Sequence, residues 1–123
     1  MTSRPKYLNL VQIRMPVTAL VSILHRASGA LLFFALPLLL WWWQLSLTSA
    51  DTFASLQAIT THWSAKLVVL GLAWGYLHHV CAGIRHLTTD LDVGTELAAA
   101  RFSSKLVFVV SIALTVVIGA SLW

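Results

Sequence analysis

The segment GYLHHVCAGIRHL, residues 75–87, sets His78, His79, Arg85 and His86 into one of the most apolar parts of the chain. Ionisable side chains in such surroundings are costly unless they face a protein interior, so they mark function. Gly71, Gly75, His79 and Gly83 recur every four residues and lie along one slowly turning helix face. An imidazole with glycines one turn above and one turn below leaves a flat recess. A planar macrocycle perpendicular to the imidazole fits there, with His79 as ligand to its metal. The same stripe also suits helix packing through small residues, with His79 merely hydrogen-bonded to a neighbour. His78 points about 100° away round the helix and cannot serve the same metal from the same side.

A second polar group stands ahead of the first apolar stretch, where Ser22, His25, Arg26 and Gly29 share a face by three- and four-residue spacing. An antiparallel pairing of the two segments brings the groups together: an apolar slot with one histidine, rimmed by His25, Arg26 and His86. That suits a haem whose propionates reach cations at the membrane edge. It equally suits a quinone head group, whose carbonyls need donors such as Ser22 and Arg26 where membrane meets water. An electron-transfer haem with six ligands needs two strong axial ones. His25 is placed well below His79 in depth, which points to a second ligand from another chain. His62 is expected to be solvated in a loop.

The elements that must position these residues are membrane spans. The chain has 123 residues, is 59% hydrophobic, and carries only 8 basic and 4 acidic side chains at a mean hydropathy of +0.84. A water-soluble domain of this size needs more polar surface. Residues 27–47, 67–84 and 106–123 contain no Asp, Glu, Lys or Arg, and each is long enough for a hydrocarbon core of about 30 Å. Extended to their flanking turns, the spans are expected at 17–47, 64–88 and 102–123, behind a short cytoplasmic segment 1–15, in a single all-α membrane domain covering 1–123. Arg4, Lys6, Arg14 and Arg26 precede or open the first span, Arg85, Arg101 and Lys105 flank the second loop, and only Lys66 lies near the first loop. By the positive-inside tendency the N-terminus and second loop are cytoplasmic. The net charge of +4 is therefore a topology signal and not a nucleic-acid one.

Finer signals agree. Pro16 suits a first helical turn, and Pro37 should kink the first span. Asp51 is a plausible cap for a short surface helix carrying Phe53, Leu56 and Ile59. Trp41, Trp42, Trp43, Trp63 and Trp123 read as an aromatic belt on the outer side. Cys81, the single cysteine, reads as apolar filler within a span. The N-terminal residues have neither the apolar core of a secretory signal nor the composition of a transit peptide, which favours a bacterial inner membrane over a mitochondrial one.

RPKYLNLVQIRMPVTALVSILHRASG and HHVCAGIRHLTTDL closely resemble the two motifs of the cytochrome b subunits of succinate dehydrogenase, the larger of two small membrane anchors in respiratory complex II. The pattern Ser-x-x-His-Arg-x-x-Gly is matched by Ser22, His25, Arg26 and Gly29. The pattern His-x-x-x-Gly-Ile-Arg-His-x-x-x-Asp is matched by His79, Gly83, Ile84, Arg85, His86 and Asp90. The resemblance implies that His79 is an axial ligand of haem b, with the other axial histidine supplied by the second anchor. It implies that Ser22 and Arg26 line a ubiquinone site, that His25 lies near a haem propionate, and that Asp90 and Glu96 take part in a proton path.

The reading is an all-α anchor with three transmembrane helices, half of a heterodimeric bundle around a shared haem b, which passes electrons from succinate to ubiquinone. Gly75 and Gly83 would pack the haem, and Arg26, His25 and His86 would meet its edge. The chain has no flavin or iron–sulfur motif, so FAD and the clusters belong to partner flavoprotein and iron–sulfur subunits. A trimer of such heterotetramers is the larger assembly considered. The competing classes are a haem-free packing or assembly protein and a small proton transporter. Against the transporter, the outer halves of the spans hold no ionisable residue apart from Lys66 near an end.

Overall fold

The computed structural model describes residues 13–123, so Arg4, Lys6 and most of the segment 1–15 lie outside the described residues. It contains four helices: α1 (Val17–Ser46), α2 (Ala50–Thr60), α3 (Trp63–Asp90) and α4 (Leu97–Leu122). Three of them, α1, α3 and α4, are long and apolar enough to cross a membrane. The first two spans end within two residues of expectation, while α4 begins five residues before the expected 102. Arg101 marks where apolarity starts and does not stop a helix. The preceding Leu97-Ala-Ala-Ala run has high helix propensity and extends α4 beyond the apolar core.

Local chemistry sets the other boundaries. Pro16 is the residue just before α1 and not in its first turn, and its carbonyl accepts from the backbone N–H of Ala19 at 3.0 Å and Leu20 at 3.2 Å. The helix runs on through Pro37, which lacks the N–H that would bond the carbonyl of Phe33. The short helix α2 is capped by Ser49 and not by Asp51. The Ser49 hydroxyl accepts from the Thr52 N–H at 3.1 Å, and the Thr52 hydroxyl accepts in return from the Ser49 N–H at 3.1 Å. This reciprocal box starts the helix earlier and leaves Asp51 in the first turn, where its charge complements the helix dipole.

Helix α3 is the middle of the bundle, packing on α1 and α4, which also touch each other. One apolar residue per span, Val21, Ala82 and Val107, forms the buried centre. Ser28, Ser104 and Ser111 are buried beside it. The Ser104 hydroxyl donates to the Ala100 carbonyl at 2.7 Å and that of Ser111 to Phe108 at 3.2 Å, so these small side chains let helices approach without leaving a polar group unpaired. Most large apolar residues face outward, Phe33 at 73% and Phe34 at 71% exposure among them. Only hydrocarbon or another protein can cover such a surface.

Two further contacts fix the α3–α4 pair. The Arg85 Nε donates to the Ser103 hydroxyl at 3.1 Å and its Nη2 to the Ala100 carbonyl at 3.4 Å. At the opposite end the Lys66 ammonium lies 4.7 Å from the Trp123 ring centre, a cation–π contact. The connection between α3 and α4 turns through Asp92 and Gly94 at φ of 59° and 73°, a region that glycine occupies without strain.

Candidate functional site

The polar residues of α1 and α3 meet where the two helices cross. His79 Nδ1 lies 3.0 Å from the backbone carbonyl of His25 and 3.3 Å from the hydroxyl of Ser28. A carbonyl can only accept, so the shorter contact requires the proton on Nδ1 and leaves the lone pair on Nε2. Metal-ligating histidines are commonly held this way, one ring nitrogen donating to a carbonyl while the other ligates. Nε2 makes no hydrogen bond among the described residues.

Close approach of the helices makes this bond reachable. A Cβ on Gly29 would come within 2.9 Å of His79 Cε1 and 3.4 Å of Nδ1. Glycine is therefore required there for packing and not for a turn. The His25 imidazole stacks on His79 with ring centres 4.2 Å apart and planes 11° from parallel. His86 sits 5.0 Å from His25, tilted by 53°. The structure thus gathers His25, His79 and His86 at one end of the α1–α3 contact.

The glycine stripe of α3 does face α1, but its members have different neighbours. A Cβ on Gly83 would lie 3.5 Å from His25 Nε2, so the space beside Gly83 is taken by an imidazole. A Cβ on Gly75 would touch Leu31 at 3.6 Å, and one on Gly71 would meet nothing within 4 Å. Towards Gly75 and Gly71 the two helices separate into an apolar cleft of about 480 Å³ that begins at Ser28 and is walled by Leu31, Trp74 and Val68. The cleft reaches His79 only through Ser28, which lines it and lies 3.3 Å from His79 Nδ1, and its open glycine is Gly71, whereas the space beside Gly83 is filled by His25.

On the outer face of α1, Arg26 is exposed and its Nε donates to the Ser22 carbonyl at 3.4 Å, one turn back. Its remaining donors and the half-buried Ser22 share that face. Asp90 is exposed at the end of α3, and Glu96 is exposed before α4 without capping it. Neither is joined to the histidines by a hydrogen bond among the described residues.

Three features have a structural role that the sequence does not reveal. Ser28, three residues after His25, is buried and bonds both His25 and His79; only its spacing from His25 hinted at it. Gly29 was part of a motif but had no physical role assigned. His78 is fully buried between Trp74, at 5.3 Å, and Phe108, at 5.2 Å between ring centres, and neither nitrogen has a partner in hydrogen-bond geometry among the described residues.

Chemically, the site offers one imidazole with a free lone pair, joined through Ser28 to the wall of an apolar cleft, with two further imidazoles and a guanidinium. Among the described residues no three His, Cys, Asp or Glu side chains could hold a bare metal ion. A group bound through His79 must complete its ligand set from itself or from another chain.

A family model described as the succinate dehydrogenase/fumarate reductase transmembrane subunit matches residues 2–118. The chain belongs to this family. It is 37% identical over 122 residues to the succinate dehydrogenase cytochrome b556 subunit of Coxiella burnetii, covering 98% of this chain and 97% of that protein. Proteins with the same description from Paracoccus denitrificans and Rickettsia felis are 32% and 33% identical, over 93% and 94% of this chain and 88% and 90% of theirs. The resemblance drawn from the two motifs and the all-helical membrane fold class are borne out together.

Proposed function

We propose that this chain is the cytochrome b anchor of a succinate:quinone oxidoreductase in a bacterial inner membrane, holding haem b through His79 and forming part of a ubiquinone-reduction site. The observation that carries the reading is the 3.0 Å bond from His79 Nδ1–H to the His25 carbonyl, which orients Nε2 for ligation. It is supported by family membership and by the cytochrome b556 description of relatives over nearly their whole length.

In this reading His79 would hold haem b from this chain, together with a histidine of a second anchor subunit. Haem b, when bound, supplies one-electron storage between donor and quinone. Gly75 lines the neighbouring cleft and lets α1 approach through Leu31, while Gly83 acts indirectly by seating His25. Arg26, His25 and His86 provide the cationic or hydrogen-bonding edge that propionates require. Ser22 and Arg26 hydrogen-bond a quinone oxygen and stabilise its charge as it develops. Asp90 and Glu96 feed protons to that site from the cytoplasmic side. Iron–sulfur and flavoprotein subunits supply the clusters, FAD and succinate oxidation, and three heterotetramers form the full assembly.

A haem-free packing role is the competing reading, and the Gly29–His79 contact favours it, since a tight helix crossing alone would also need that glycine. An absorbance difference spectrum separates the two. The complex is isolated in mild detergent through a tag on this chain and recorded after succinate, then after dithionite. The expected result is a low-spin b-type spectrum developing at least partly with succinate. An intact complex without haem returns His79 to helix packing.

A further inference from the structure

A second groove lies between α3 and α4 and shares no residue with the cleft beside His79. It holds about 270 Å³, walled by Cys81, Ile84, Leu106 and Val110, with Arg85 and Ser103 at one end. From Ser103 to Val110 it follows α4 for about 10 Å, a good part of one leaflet's depth. Its walls are apolar except at that end, which is also where Arg101 and Lys105 place further positive charge on α4.

The guanidinium is held in place by its own helix pair. Nε and Nη2 donate to Ser103 and Ala100, whereas Nη1, with two N–H groups, bonds nothing among the described residues. A side chain pinned on two bonds loses little freedom when it takes a third partner. Thr88, also at that end, has its hydroxyl proton committed to the Arg85 carbonyl at 2.8 Å, so the spare donors belong to Arg85. Asp90 at the end of α3, and Asp92 and Glu96 between α3 and α4, do not line the groove.

We propose that this groove binds one anionic phospholipid, an acyl chain lying along Leu106 and Val110 and the phosphate meeting Arg85 at the membrane surface. An apolar trough ending in a fixed cation matches an amphiphile with a negative head. A partner helix would cover the trough but has no need of the cation, and a quinone tail carries no anion. The inference is independent of haem and quinone.

Native mass spectrometry of the complex, purified in mild detergent and titrated with phosphatidylglycerol or phosphatidylcholine, tests it. The wild type should retain one phosphatidylglycerol per copy of this chain, preferred about fivefold over phosphatidylcholine, the ratio expected of one cation at an anionic surface. Leu106→Trp fills the groove and should abolish retention with subunit content intact, and Val110→Phe repeats the test farther along should that variant fail to accumulate. Arg85→Gln should remove the preference, whereas Ser103→Ala, which cuts one tie to α4 but keeps the charge, should preserve it. Retention undiminished by both filled-groove variants, or equal retention of the two lipids, overturns the proposal. So does loss of a partner subunit on filling the groove, which would make it a protein interface.

Discussion

His78 and His79 are neighbours in sequence and opposites in structure. His79 is half-buried, with Nδ1 bonded to α1 and Nε2 left over. His78 is fully buried between Trp74 and Phe108 on the other side of α3, and neither nitrogen meets a partner in hydrogen-bond geometry among the described residues. The difference teaches that burial of an imidazole does not mark a site. An unpartnered buried polar group costs about 1–3 kcal/mol and does nothing obvious in return. A half-satisfied one, with a fixed proton and a free lone pair, is prepared for a ligand.

The strongest way to break the comparison is to remove the prepared ring. His79→Leu should eliminate most of the b-type absorbance of the purified complex; an unchanged spectrum would transfer the role to His78 or His25. Next comes the glycine that lets His79 reach α1. Gly29→Val puts a Cβ only 2.9 Å from where His79 Cε1 now lies, and should lower haem content several-fold while circular dichroism reports undiminished helix. Full haem content would show that the ring tolerates displacement.

Smaller effects sharpen the contrast. Arg26→Leu, at the exposed edge, should slow quinone reduction about tenfold, the worth of about 1.4 kcal/mol of lost charge stabilisation, while succinate oxidation by an artificial acceptor continues. Equal loss of both activities would remove Arg26 from the quinone site. The smallest change is expected at His78. His78→Phe preserves much of the ring's shape and removes two unpaired nitrogens, so thermal stability should hold or rise, by up to about 1 kcal/mol, with the haem spectrum unaltered. A marked loss of stability would mean that His78 has a partner in the assembled complex.

Much of the fold was legible because membrane spans are written in composition: α1 and α3 fall within two residues of their expected limits. The misses were local. Asp51 has the residue type of a cap, but Ser49 wins through a reciprocal bond that requires Thr52 as well. The start of α4 was placed at the charged boundary because apolarity measures immersion and not helix continuation.

At the site, spacing correctly set Gly71, Gly75, His79 and Gly83 on one face and His78 on another, since the helical period fixes angles within a helix. It could not tell that Gly83 seats His25 and Gly75 packs on Leu31 while Gly71 borders open space. Nor could it reveal that Arg85, grouped by motif with His86, spends two donors on α4. The sequence by itself determined three spans and the register of chemistry-bearing residues along each helix, because these follow from local composition and period. Only the tertiary structure decided which histidine is held and which is stranded. The bond from His79 to the His25 carbonyl joins residues 54 apart, and the rotation and depth at which α1, α3 and α4 meet depend on many such contacts at once.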